Sequence, residues 1–185
     1  MKRLVVPALL LVLAACHKSP PALDDFGAVP RFQLTAPDGS TFDSGSLRGK
    51  VWVADFFFTS CGSICPMMSS HMHHIQESVR DVGNAQLVSF SIDPWHDTPA
   101  VLTEYAKTYK ADPARWHLLT GPQATLQKLD KDVFKLGNVD GSLQHSPRFV
   151  LVDRNGHIRG YYDTTEPASI PKIIADLRAL AESGA

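Results

Sequence analysis

Val51-Trp52-Val53-Ala54-Asp55-Phe56-Phe57-Phe58 runs directly into Thr59-Ser60-Cys61-Gly62-Ser63-Ile64-Cys65-Pro66. A continuous apolar run of this kind reads as a strand covered on both faces. Met68, Met72, Ile75, Val79 and Val82 then recur at helical spacing, and the pattern stops near Gly83-Asn84. Cys61 and Cys65 therefore sit where a buried strand becomes a helix, four apart and on one face of the first turn. Free N–H groups and partial positive charge at a helix N-terminus favour thiolate over thiol. That placement makes cysteines reactive or metal-binding rather than inert packing. The spacing admits a reversible disulfide, a soft-metal clamp, or both in turn.

Working outward, Phe32-Gln33-Leu34 and Thr41-Phe42, joined through Pro37-Asp38-Gly39-Ser40, predict a short N-terminal hairpin. Gln86 to Ile92 reads as a second buried strand, stopped by Asp93-Pro94. Thr98 caps a helix through Tyr109, with Pro99 at its first position. Trp116 to Thr120 is a short strand, and Pro122 to Phe134 a helix. Arg148 to Val152 and His157 to Tyr162 form a hairpin around Asp153-Arg154-Asn155-Gly156, with an Asn-Gly turn signal. Pro167 opens a last amphipathic helix to about Glu182. Strands alternating with helices, then a hairpin and a helix, indicate an α/β sandwich with a mixed sheet.

The third cysteine, Cys16, has a separate explanation. Lys2 and Arg3 precede an apolar stretch, Leu4 to Leu13, too short to span a bilayer as a stable helix. Leu13-Ala14-Ala15-Cys16 is similar to a bacterial lipoprotein signal, in which the cysteine is lipidated and becomes the new N-terminus. The expected organisation is a signal peptide over 1–15, a tether over 16–29 rich in Pro, Asp and Gly, and one domain over 30–185. About 155 residues suffice for one domain with a sizeable core and are too few for two. The formal net charge is −1 and no basic block occurs, which argues against a nucleic-acid partner. Acyl chains on Cys16 would hold the domain at the periplasmic face of a bacterial membrane. In that oxidising setting a spaced thiol pair becomes a disulfide unless it is reduced or occupied by metal.

A thiol pair after the first long strand of such a sheet resembles the thioredoxin fold, although the spacing is C-x-x-x-C rather than C-x-x-C. Asp55-Phe56-Phe57-Phe58-Thr59-Ser60-Cys61 with Cys65-Pro66, Ser91-Ile92-Asp93-Pro94 with Asp97-Thr98-Pro99, Leu119-Thr120-Gly121, and His145-Ser146 with Leu151-Val152-Asp153 together resemble the SCO/SenC family. The resemblance implies a thioredoxin-like domain, exported and membrane-tethered, that binds copper, as Cu(I) or Cu(II). It implies a metallochaperone role in assembling the copper centre of cytochrome c oxidase. The implied partner is that copper-centre subunit or another copper chaperone. Carried over by position, the ligands are Cys61, Cys65 and His145, and the same cysteines form the redox disulfide. The Gly62-Ser63-Ile64 loop departs from the Pro-Asp often found there, and Met67, Met68, His71, His73 and His74 follow the pair.

Two thiolates and an imidazole suit Cu(I) and leave an open side for transfer; a structural zinc site would want four protein ligands. Asp93 and Asp97 flank the loop after the second buried strand and either support the metal loop through hydrogen bonds or serve a turn and helix cap at Asp97-Thr98-Pro99; Pro147 is either a cis-proline facing the cysteines or a trans proline at a strand start. Asp55, inside an apolar strand, is either a proton acceptor for the thiols or a hydrogen-bonded buried acid. His73 and His74 are expected to be solvated, with His71 at the edge of the buried stripe. The competing function is a thiol–disulfide oxidoreductase that reduces the cysteines of a copper-site target; it uses Cys61 and Cys65 and does not need His145.

Overall fold

A computed structural model describes residues 23–137, 143 and 146–183. The expected signal peptide, lipidated Cys16 and most of the tether lie outside the described residues, as does His145. Among the described residues, no helix is long and apolar enough to cross a membrane.

The apolar run forms β3 (Val51–Phe57), whose seven residues are all buried. It lies at the centre of a five-stranded sheet flanked by β4 (Ala85–Ser91), β5 (Trp116–Leu119), β6 (Arg148–Val152) and β7 (Ile158–Asp163), in the order β5-β4-β3-β6-β7. β4 runs parallel to β3 and β5 parallel to β4, whereas β6 and β7 are antiparallel. The helices α1 (Ile64–Ser78) and α2 (Pro99–Thr108) supply the two parallel crossovers. A central strand covered on both sides needs apolar residues at every position, which is why no alternation is visible in its sequence.

The period-2 geometry of β3 splits the core. Val51, Val53 and Phe57 join Met68, Met72 and Ile75 of α1 and Ile173 and Leu177 of α4 (Ser169–Glu182) on one face. Trp52, Ala54 and Phe56 join Leu126 of α3 (Gln123–Gln127), Phe134 and the hairpin residues Phe32 and Leu34 on the other. Phe134 anchors that second cluster, its ring 6.0 Å from Trp52 and 5.6 Å from both Phe56 and Phe90. The expected hairpin is β1 (Gln33–Thr35) against β2 (Thr41–Asp43).

Two local expectations are corrected. The helix read over 122–134 keeps α-geometry only through Gln127 and then widens over Lys128–Val133, where Phe134 N–H bonds to Leu129 C=O at 2.8 Å. The β6–β7 connection runs through Asp153 to Gly156 as expected: Gly156 alone of its residues takes positive φ (+82), and Asp153 accepts the N–H groups of Asn155 and His157 at 2.9 and 3.0 Å. The end of the expected tether is docked rather than free. Phe26 N–H bonds Ile158 C=O, Ile158 N–H bonds Gly27 C=O, and Val29 N–H bonds Gly156 C=O, so this segment pairs with the outer edge of β7 and covers it.

Candidate metal centre

β3 ends at Phe57, and the chain turns through Thr59 to Gly62 before α1 begins at Ile64. Cys61 N–H bonds Phe58 C=O at 3.2 Å, which closes that turn. Ser63 precedes the helix, yet its side chain caps no helix N–H. Its hydroxyl lies 3.6 Å from Cys61 Sγ. The N–H groups of Ser63 and Cys65 donate to the same sulfur, so the Cys61 thiol takes the place of a helix cap.

The two cysteines are not joined by a disulfide, and they differ sharply. Cys61 is partly exposed on the rim, between the exposed Ser60 and Gly62, whereas Cys65 is fully buried beneath it. Burial works to push the Cys61 thiol up, but the bonds it accepts from the Cys65 thiol, the Ser63 and Cys65 N–H groups and the Ser63 hydroxyl outweigh that and hold it at about 6. Burial and then the bond to Cys61 push the Cys65 thiol well above its usual range; Asp55 acts in the same direction. One proton is thus shared across the pair and resides on Cys65, leaving Cys61 as the thiolate.

Beneath the loop, the supporting carboxylate is Asp97 rather than Asp93. Asp97 is fully buried and accepts the Thr59 N–H at 3.1 Å, the Thr59 hydroxyl at 2.5 Å and the Ser91 hydroxyl at 2.6 Å. Those bonds tie the exit of β3 to the exit of β4 and to the start of α2, where Thr98 caps Val101 N–H at 3.4 Å. Asp93 serves its own turn, accepting the His96 N–H at 3.3 Å. The Asp97 N–H bonds the Asp93 carbonyl at 2.8 Å, and this tight turn delivers the later carboxylate to the loop.

Pro147 takes the trans alternative: no cis peptide occurs among the described residues. Its carbonyl accepts the Thr164 N–H at 2.8 Å and the Thr164 hydroxyl at 2.7 Å, which fixes it just before the start of β6. β6 is antiparallel to β3, with Ala54 opposite Val150, so the entrance of β6 lies toward the end of β3 from which the cysteine loop departs.

Asp55 is 1% exposed and faces Ser89 across the β3–β4 ladder. The Trp116 indole N–H donates to Ser89 Oγ at 2.9 Å, and Ser89 donates on to Asp55 at 2.5 Å. Burial raises the Asp55 carboxyl to about 7. Asp55 is therefore a hydrogen-bonded buried acid that also bears on Cys65. Asp130, on the widened turn, is buried with neither oxygen hydrogen-bonded, and burial raises it to about 6.

Among the other histidines, His74 is exposed as expected, while His71 and His73 are half-buried. His117 packs against Phe42 with ring centres 4.8 Å apart and planes tilted by 43°, and shares a 2.8 Å hydrogen bond with Gln86; burial lowers it to about 4. No three His, Cys, Asp or Glu side chains converge as a finished metal cage among the described residues. Surface cavities of about 570 and 400 Å³ are lined by the hairpin with α2 and β5, and by the start of the domain; neither includes a residue of the cysteine loop. The centre is an open rim with two thiols.

A family model described as SCO1/SenC matches residues 22–182. The chain belongs to the SCO1/SenC family. The crystal structure of a SCO1/SenC family lipoprotein from Bacillus anthracis is similar at 35% identity, covering 89% of this chain and 99% of that one with a TM-score of 0.76. The structure of BsSco, described as a member of the Sco family of cytochrome c oxidase assembly proteins with a disulfide switch, is 28% identical over 90% of this chain and all of its own, with a TM-score of 0.77. A Stutzerimonas stutzeri relative whose description names copper binding is 32% identical over 145 residues, 72% of this chain and 68% of the relative. The fold of this SCO1/SenC chain is thus thioredoxin-like, with the cysteine loop at the carboxyl end of the central strand, where open α/β sheets place their sites.

Proposed function

We propose that this SCO1/SenC protein carries copper for assembly of the copper centre of cytochrome c oxidase, holding it through Cys61, Cys65 and His145 while tethered to the periplasmic face of a membrane by lipid on Cys16. The observation that carries this reading is the open thiol pair: two sulfurs outside any disulfide at the start of α1, one partly exposed and one directly beneath it. Thiolate sulfur is a soft donor that suits Cu(I), and an incomplete ligand set on a rim leaves a face for a recipient to approach. The donor chemistry present fits the cargo. Relatives support it, through the copper binding named for the Stutzerimonas protein and the oxidase assembly named for the family of BsSco. His145 enters as the third donor because Gln144-His145-Ser146 matches the family pattern by position. The test is Cu(I) titration of the reduced protein against a chromophoric competitor, with Cys61→Ser, Cys65→Ser and His145→Ala. Each variant should lose affinity; unchanged affinity in all three overturns the assignment.

The unequal thiols favour a second activity on the same residues, thiol–disulfide exchange with a copper-site partner. The Cys61 thiolate attacks one sulfur of the partner's disulfide, forming a mixed disulfide and releasing the first partner thiolate. Cys65 then gives its proton to the released partner thiolate and attacks Cys61 Sγ, closing the Cys61–Cys65 disulfide and releasing the second thiolate. Two electrons pass to the partner. His145→Ala separates the two readings: exchange without copper binding assigns the reductase role to the cysteines alone.

A further inference from the structure

α1 carries a second run of donors that the thiol pair does not use. Met67, His71 and His74 recur at four- and three-residue intervals, which stacks them along one face of the helix. The core takes a different face, with Cys65, Met68, Met72 and Ile75 all fully buried. Along the outer stripe Met67 and His71 are half-buried and His74 is exposed, as a surface seam requires. His71 and His74 are near neighbours: after burial, the charge of His74 is the second cause that holds the His71 imidazole below its ordinary range. His71 Nδ1 is enclosed and has no hydrogen-bond partner, as is also true of His73 Nδ1 on the same helix. The sole acid of α1, Glu77, is taken up by Arg80 at 3.1 Å, so the seam offers no carboxylate to a hard cation.

We propose that Met67, His71 and His74 form a second Cu(I) site on α1, with the two imidazoles as principal donors and the Met67 thioether as the third. Imidazole and thioether together are the donor types of a soft monovalent ion that accepts two or three ligands. Zinc would bind the imidazoles but draw little from the thioether and would want a fourth ligand. By helix rise, His71 lies about 9 Å along the axis from Cys65. With Met67 two residues past Cys65 on the same helix, the seam is placed as a store from which the pair is loaded. That use rests on the reading above; the binding itself does not.

The test uses the full-length protein with both Cys61→Ser and Cys65→Ser, so that the thiol centre is absent whatever its role. Titrated anaerobically with Cu(I) against bicinchoninate, this protein should retain one equivalent. Met67→Leu should weaken that binding about tenfold or more while leaving zinc binding unchanged, as loss of one soft ligand predicts. His71→Gln with His74→Gln should abolish it, and circular dichroism should confirm that each surface variant is folded. No retained copper in the double serine protein, or retention indifferent to the histidine substitutions, overturns the site. Retention that survives Met67→Leu at full strength overturns the thioether's part in it.

Discussion

Replacing Asp55 with asparagine removes the one charge inside β3 while keeping its size and the oxygen that Ser89 bonds. Burial raises the Asp55 carboxyl to about 7, whereas an aspartate in an unfolded chain titrates near 3.9. Below about pH 4 both states hold the proton and the group contributes nothing. Between about pH 4 and 7 the unfolded chain releases the proton and the folded chain keeps it, so stability falls as pH rises. At about 1.4 kcal/mol per pH unit, the loss approaches 4 kcal/mol by pH 7 and is constant above it. The Asp55→Asn protein has no such loss. In urea titrations of the reduced full-length protein, the variant's stability relative to the native protein should be flat near pH 4, climb by that amount to pH 7, and then level off. The variant should also ease deprotonation of Cys65, which Asp55 opposes. Native and variant profiles that run parallel from about pH 4 to 8 would rule out the raised carboxyl, because linkage then assigns Asp55 the same pKa folded and unfolded.

Three further outcomes follow from the loop. Asp97→Ala strands the Thr59 N–H and hydroxyl and the Ser91 hydroxyl in a buried setting, and should cost on the order of 3 kcal/mol in urea unfolding while Asp93→Ala costs far less. Alkylation of the reduced, metal-free protein should modify Cys61 and spare Cys65. Its rate should rise through a midpoint near pH 6 and saturate above pH 7, since thiolate accumulates as pH passes the lowered value; a midpoint near 8.5, that of a free thiol, would contradict it. Gly62 has no positive φ, and a Cβ there meets nothing within 4 Å. Gly62→Ala should therefore fold normally and gain about 0.5 kcal/mol through a less flexible unfolded chain, as thermal unfolding will show.

The strand, the first helix and the thiol pair were legible because each is written in local pattern: a continuous apolar run, a 3.6-residue repeat, and two cysteines at their junction. Thr98 and Pro99 likewise announced α2. Features set by tertiary contact were not legible in the same way. Asp93 and Asp97 are equivalent on paper, and only the turn between them decides which carboxylate reaches Thr59. The docking of residues 26–29 on β7 runs through backbone groups, which leave no trace in side-chain pattern. The widened turn did leave one: Leu126, Leu129 and Phe134 are three and then five residues apart, and the five-residue step marks the shift of hydrogen-bond register. Asn155-Gly156 signalled the β6–β7 turn correctly, and the Asp153 side chain holds it.

If copper rides on the thiol pair with an imidazole as third donor, the metal's own coordination shell must contain all three. X-ray absorption at the copper edge, on reduced full-length protein loaded with one equivalent of Cu(I), reads that shell without an intermediary. Two thiolate sulfurs and one imidazole nitrogen are expected at the metal, with the nitrogen lost in His145→Ala and the sulfurs lost in Cys61→Ser with Cys65→Ser. A shell of nitrogen and oxygen without thiolate sulfur would contradict the proposed copper site.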